Sequence, residues 1–364
     1  MRIVFDLDGV ICPLKNPYEK YEELKPNFEV VRLLKKLKKE GHVIIIYTSR
    51  HMRSFGGNIG KVIAEGSRTV VPWLKKYEIP FDEIYLGKPY ADIYIDDKNV
   101  VFCSAQQLEE TLKTLMPIFV IPMAGRGKRF LEAGYKIPKY LIKIKGETML
   151  EWSLKSLPLD LASLVIFICL TEHEKNYKVS KIIKNIISKK YSFIKNRYLV
   201  IFLKKITRGQ AETVLKAKKY INNSIPLVIF NIDTYFVSSR LREKILSSKI
   251  QGIDGVLGVF YSNNPRLSFV KINKNGFVTK TAEKEKISKL ASTGLYTFSC
   301  GSDFVEAAQT MIQGRIMVNN EFYIIPVYNL LIRAGKRFIV DFAEECWNLG
   351  EPKALNYFLT HYRK

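Results

Sequence analysis

Short, unbroken apolar runs restrict this 364-residue chain more than any other feature. Val43-Ile44-Ile45-Ile46-Tyr47 is one, and residues 118–121, 165–170 and 227–230 are others. A strand with one wet face alternates polar and apolar residues, whereas a strand apolar throughout is covered on both faces. Between these runs the apolar residues take helical spacing. Val30, Leu33, Leu34 and Leu37 share one face after Pro26-Asn27, and Gly41 stops the pattern. Strand and helix in alternation give an α/β fold with a parallel sheet between helical layers, and such sheets bind ligands at the carboxyl ends of their strands.

The length predicts two domains, with Met116-Pro117 at the boundary. In the first, strands are expected at 3–5, 43–47, 84–86 and 93–95, with helices over 70–77 and 106–115. In the second, strands are expected at 118–121, 165–170 and 227–232, with helices near 149–157 and 211–221. Further strands of mixed direction are expected over 254–261, 269–272 and 294–298. No apolar run approaches the ~20 residues of a membrane span, and Met1-Arg2-Ile3-Val4-Phe5-Asp6 lacks a signal-peptide layout. Five scattered cysteines without C-x-x-C spacing point to reduced thiols in a cytoplasmic protein and exclude a disulfide framework. The net charge is +23, but its lysines are spread along the chain. Even the densest stretch, 178–205, reads as alternating apolar and solvated faces. The charge is therefore read as a general compositional bias, with polyanionic small substrates or a membrane-associated partner as alternatives, and neither a nucleic-acid partner nor membrane insertion is expected.

Asp6 and Asp8 follow the first apolar run. Asp8-Gly9 alone signals a hairpin turn, but three later strand ends argue otherwise. Thr48 follows the second run, Lys88 stands in Gly87-Lys88-Pro89, and Asp96-Asp97 closes a further strand. Acids gathered this closely repel one another unless a metal joins them. Over about residues 1–113 the set resembles the haloacid dehalogenase (HAD) superfamily, and the stretch His51-Met52-Arg53-Ser54-Phe55-Gly56-Gly57-Asn58-Ile59-Gly60-Lys61 resembles its small capsule-biosynthesis phosphatases. The resemblance implies a capless HAD-like Rossmannoid parallel sheet. It makes Asp6 the nucleophile of an aspartyl-phosphate route and Asp8 the acid and base. Thr48 and Lys88 bind the phosphoryl group, and Asp6, the Asp8 carbonyl and Asp96 hold Mg²⁺. Asp97 supports the site, and His51 is a candidate substrate contact.

The run 118–121 leads into Met123-Ala124-Gly125-Arg126-Gly127-Lys128-Arg129. Its glycines let backbone N–H groups approach phosphates, and Arg129 adds fixed charge. Pro138 stiffens the chain before Lys139, and Asp233 follows the strand expected at 227–232. Over about residues 117–364 these positions resemble the sugar-1-phosphate nucleotidyltransferase family. Gly209-Gln210-Ala211, Ala282-Glu283-Lys284, Thr293-Gly294-Leu295-Tyr296, Glu321 and Trp347-Asn348-Leu349-Gly350-Glu351-Pro352 extend the match. The resemblance implies a GT-A-like mixed sheet flanked by helices, with Mg²⁺ on Asp233. Ala124, Gly125 and Gly127 lie on the nucleotide, and Gly209 and Gln210 on its base. Glu283 contacts acceptor hydroxyls and Lys284 the acceptor phosphate, and Gly294 and Glu321 are further nucleotide- or substrate-binding positions. A second metal-binding acid of the family aligns near Pro326, which cannot ligate.

Together these features point to a bifunctional enzyme of capsule-precursor synthesis. One half is an Mg²⁺-dependent phosphatase; the other moves a nucleotidyl group from CTP or UTP to a sugar or polyol phosphate. A homo-oligomer is compatible with the sequence. Two readings stand beside it: a cytidylyltransferase for a small alcohol phosphate with a non-catalytic HAD domain, and a nucleotide-sensing or nucleic-acid-binding protein.

Overall fold

The computed structural model describes residues 2–16, 18–39, 43–91 and 114–363. The chain divides into two compact units, Met1–Val101 and Phe102–Lys364. The expected strand at 93–95, Gly41, Asp96, Asp97 and most of the expected helix over 106–115 lie outside the described residues.

In the first unit β1 (Arg2–Phe5), β2 (Val43–Thr48) and β3 (Glu83–Leu86) form a parallel sheet in the order β1-β2-β3. The register sets Phe5 opposite Ile46 and Thr48 opposite Leu86, so the three carboxyl ends lie side by side. The β2 core residues Ile44 and Ile46 pack with Leu34, Val70, Trp73 and Leu74 of the helices Phe28–Lys39 and Ile59–Lys76. Asn27 and Asn58 cap those helices, accepting from Glu29 N and Lys61 N at 3.1 Å each. The second helix starts eleven residues before the expected 70, because Asn58 caps a turn that the preceding glycines disguise as loop. β1 also departs from expectation. Val4 is 56% exposed, and among the described residues β1 pairs with β2.

The second unit is built on a nine-stranded mixed sheet. Its strands are β4 (Ile118–Pro122), β7 (Leu164–Leu170), β8 (Tyr198–Leu203), β9 (Leu227–Phe230), β11 (Gly255–Tyr261), β12 (Ser268–Ile272), β13 (Val278–Glu283), β14 (Leu290–Phe298) and β15 (Phe338–Phe342). They run β13-β12-β14-β9-β4-β7-β8, with β11 joining β14 to β15. β9, β4, β7 and β8 are parallel, and β14 runs antiparallel to β9. Apolar clusters cover both faces: Val120, Ile166 and Ile229 face one, Phe119, Phe167 and Phe230 the other. Two ribbons complete the unit, β5 (Lys143–Ile144) with β6 (Glu147–Thr148), and β10 (Thr234–Val237) with β16 (Glu345–Asn348). The expected helix over 211–221 is two short ones, Gln210–Leu215 and Lys218–Ile221. No helix among the described residues is long and apolar enough to cross a membrane.

Candidate functional site

In the second unit a cleft of about 600 Å³ opens at the carboxyl ends of β4 and β9. It is lined by Ala124, Gly125, Gly127, Arg129, Lys139, Gly209, Gln210, Asp233, Glu283, Lys284, Gly294 and Glu321, so every residue expected at this site meets in one place. β4 delivers the glycine loop. Gly127 takes a left-handed conformation (φ +64°), and a Cβ there would meet the Lys139 Cβ at 3.3 Å. The loop thus rests on the lysine's stem. Lys139 opens the 3₁₀ turn Lys139–Leu141, and its Nζ lies 2.7 Å from Asp233 Oδ2. Arg129 pairs at 2.5 Å with Glu351, which leads into the helix Pro352–His361.

Asp233 lies in the turn between β9 and β10, three residues beyond the end of β9. The ribbon pairs Thr234 with Asn348, and Leu349 N donates to the Asp233 carbonyl at 2.8 Å. Asn348 therefore lies beside Asp233 in the cleft. Pro326 belongs instead to the helix Ile325–Arg333 and does not line the cleft, which corrects the expected alignment of a second metal site there. A Cβ on Gly350 would fall 2.9 Å from Asp233 Oδ2 and 3.2 Å from Asn348 Oδ1. The missing side chain leaves room between these oxygens.

Backbone stitching holds the rest. Gly209 approaches Phe322 so closely that a Cβ would fall 2.4 Å from its N. Phe322 N donates to the Arg208 carbonyl and Ala211 N to the Phe322 carbonyl, which brings Glu321 to the cleft. The Gln210 amide donates to Asn231 Oδ1 at 2.8 Å. Gly294 (φ +84°) closes on Asn231, whose N–H donates to the Gly294 carbonyl. At the far wall Ser268 Oγ donates to Glu283, and burial pushes the Glu283 carboxyl above its ordinary range. Lys284 Nζ donates to the Tyr323 hydroxyl at 2.5 Å. Asn348 and Glu351 stand in the closing segment that the sequence matched, but their places beside Asp233 and Arg129, like the role of Asn231, arise only through pairing across the fold.

In the first unit the strand register gathers Asp6, Thr48 and Lys88. Asp6 Oδ2 lies 2.6 Å from Lys88 Nζ, and its Oδ1 accepts from Leu7 N at 2.8 Å. The Thr48 carbonyl accepts from Gly87 N and Lys88 N, tying the end of β3 to that of β2. Residues 7–12 make a tight turn, with Cys12 N donating to the Leu7 carbonyl at 2.8 Å and Gly9 at φ +90°. Among the described residues no hairpin strands flank it. Asp8 does not share the Asp6–Lys88 pair: both its oxygens are taken by Arg50, with Nε at 3.0 Å and Nη2 at 2.5 Å. Arg50 is buried over the Tyr21 ring at 4.2 Å, and the sequence reading missed it. His51 Nε2 is within 3.1 Å of Thr69 Oγ1 on the neighbouring helix. Among the described residues no group of three or more His, Cys, Asp or Glu converges as a metal cage.

Residues 119–318 match the family model described as nucleotidyl transferase. A nucleoside-diphosphate-sugar pyrophosphorylase from Vibrio cholerae RC9 is 31% identical, with 67% of this chain and all (100%) of that one covered and a TM-score of 0.56. The fold is shared with a UDP-glucose pyrophosphorylase solved with UDP-glucose, at 16% identity, 68% and 98% coverage and a TM-score of 0.54. No curated protein matches the chain.

Proposed function

Because the chain belongs to the nucleotidyl transferase family, we propose that its cleft transfers a nucleotidyl group from CTP or UTP to a sugar or polyol phosphate. An oxygen of the acceptor phosphate bonds to the α-phosphorus while the bond to the β-phosphate oxygen breaks, and pyrophosphate leaves. No protein nucleophile is required, and catalysis is positioning plus neutralisation of charge. The observation that carries this reading is the convergence of the glycine loop, Arg129, Lys139 and Asp233 on one cleft.

Arg129 and Lys139 turn from their acidic partners toward the triphosphate. Gly125 and Gly127 let the backbone lie against the phosphates, and Gln210, braced by Asn231, reads the base. Glu283 accepts hydroxyls of the acceptor, and Lys284 takes its phosphate. Asp233, with Asn348 beside it and the space left by Gly350, fits an Mg²⁺ site that relies on substrate oxygens for its other ligands. An Mg²⁺ held there would supply positive charge that neutralises the reacting phosphates. Purified protein given Mg²⁺, each NTP in turn and a panel of sugar and polyol phosphates tests the reading. Pyrophosphate release for one NTP and one acceptor class supports it; none across the panel refutes it.

For the first unit we propose phosphate-ester hydrolysis, supported by Asp6, Thr48 and Lys88 at adjacent strand ends. Asp6 attacks the phosphorus as the P–O bond to the alcohol breaks and Asp8, steadied by Arg50, protonates the departing oxygen; Asp8 then takes a proton from the water that hydrolyses the aspartyl phosphate to inorganic phosphate and free Asp6, while Thr48 and Lys88 hold the phosphoryl oxygens. An Mg²⁺ at this site would be held by Asp6 and the Asp8 carbonyl; the third ligand expected from the sequence, Asp96, lies outside the described residues. Two phosphate chemistries on one chain suit the cytoplasmic synthesis of a nucleotide-activated precursor for surface polysaccharide, with the phosphatase acting on an intermediate of the same route.

A further inference from the structure

Lys139 is held from behind by a single helix that makes no contact with the phosphates in the scheme above. The helix Thr171–Tyr177 follows β7, the strand beside β4. It fastens the lysine's segment on both sides. Before the lysine, Tyr177 Oη donates to the Lys136 carbonyl at 2.8 Å. After it, the fully buried Tyr140 shares a 2.9 Å hydrogen bond between its hydroxyl and Nδ1 of buried His173. From the front, Gly127 presses on the Lys139 stem. The ammonium is thereby aimed by its own backbone, and its 2.7 Å pair with Asp233 is a consequence of that aim.

We propose that His173, acting through Tyr140, is a positioning residue for nucleotidyl transfer, with Tyr177 as the second point of the clamp. The inference rests on reading Lys139 as the cation that neutralises phosphate. Buried polar partners suit this task because each is costly to leave unpaired, so they define one arrangement. A lysine carried on a surface loop without such fixtures would sample many rotamers, and misplacing a catalytic group by about 1 Å costs up to ~10²-fold in rate. Burial keeps the His173 imidazole neutral by pushing its pKa down, so the bond persists through the neutral range.

His173→Leu, His173→Asn and the double variant Tyr140→Phe/His173→Leu test this in the full-length protein. Asn offers an amide near the Nδ1 position, and the double variant replaces both partners with apolar groups, which is close to neutral for stability. The expected result is a fall in kcat of about 10–100-fold for His173→Leu and for the double variant. KM for NTP stays near wild type, and His173→Asn recovers most of the rate. Hydrogen exchange of the Leu141 and Ile142 amides, which donate to Pro138 and Lys139 carbonyls, accelerates in the two slow variants only. This readout needs no substrate. If wild type releases no pyrophosphate, the functional reading fails while the clamp is still judged by exchange. Wild-type kcat in the double variant, or exchange unchanged by losing the histidine, overturns the proposal.

Discussion

Replacing Lys139 by methionine keeps the four-atom stem that packs on Gly127 and removes the charge. Two effects of different size follow. The side chains of Lys139 and Asp233 are 22% and 26% exposed, so water screens their pairing and its loss costs at most about 1 kcal/mol of stability. For a unit of this size that lowers Tm by about 2–4 °C. The transition state is less forgiving. Charge moves from the α–β bridge onto departing pyrophosphate, and removing one preorganised donor at such a point costs about 2.7–4 kcal/mol, or about 10²–10³ in kcat. Pyrophosphate release at saturating NTP, beside a thermal melt, separates the two. The reasoning is refuted if Lys139→Met keeps kcat within about tenfold of wild type, or if its loss tracks unfolding.

Three further outcomes follow from the geometry. Gly209→Ala drives a methyl into backbone at a φ of +142°, costing on the order of 3 kcal/mol; calorimetry should show Tm lower by roughly 6–12 °C. Burial raises the folded-state carboxyl of Glu283, so the folded chain holds that proton more tightly than the unfolded one. Its stabilisation is therefore present below the unfolded carboxylate range and is lost as pH climbs to the raised value. Glu283→Gln should raise Tm at pH 7 and flatten Tm against pH in the acid range; an unchanged profile would contradict the buried charge. Asp6→Asn should abolish release of inorganic phosphate from a phosphate ester while leaving pyrophosphate release at wild-type rate, and joint loss of both activities would remove the two-site scheme.

The parallel core was legible because β4, β7 and β9 are apolar throughout, a pattern that burial on both faces alone permits. The exposure of Val4 in β1 was not, since three apolar residues do not show which of their faces is covered. Helix starts were missed where a cap, not a periodicity, decides them: Asn58 begins its helix behind two glycines. The single run expected over 211–221 divides at Lys216–Ala217, a turn that no glycine or proline in the sequence marks. At the cleft, residues with distinctive chemistry stood out: the glycines, Lys139, Asp233 and Glu283. Their supports did not. Asn348 acquires its place from the pairing of β10 with β16 and His173 from a tyrosine 33 positions earlier; in the first unit Arg50 likewise acquires its place from a carboxylate 42 positions earlier. A lone amide or imidazole advertises nothing until the fold gives it a neighbour.

The central claim is that this chain joins a nucleotide to a phosphorylated acceptor with loss of pyrophosphate. Phosphorus-31 NMR of the protein with Mg²⁺, CTP or UTP and a sugar or polyol phosphate reads that bond directly. The account predicts a pair of coupled diester phosphorus signals growing in step with pyrophosphate, absent in Lys139→Met. Nucleotide consumed to the diphosphate and inorganic phosphate, with no coupled pair, would contradict it.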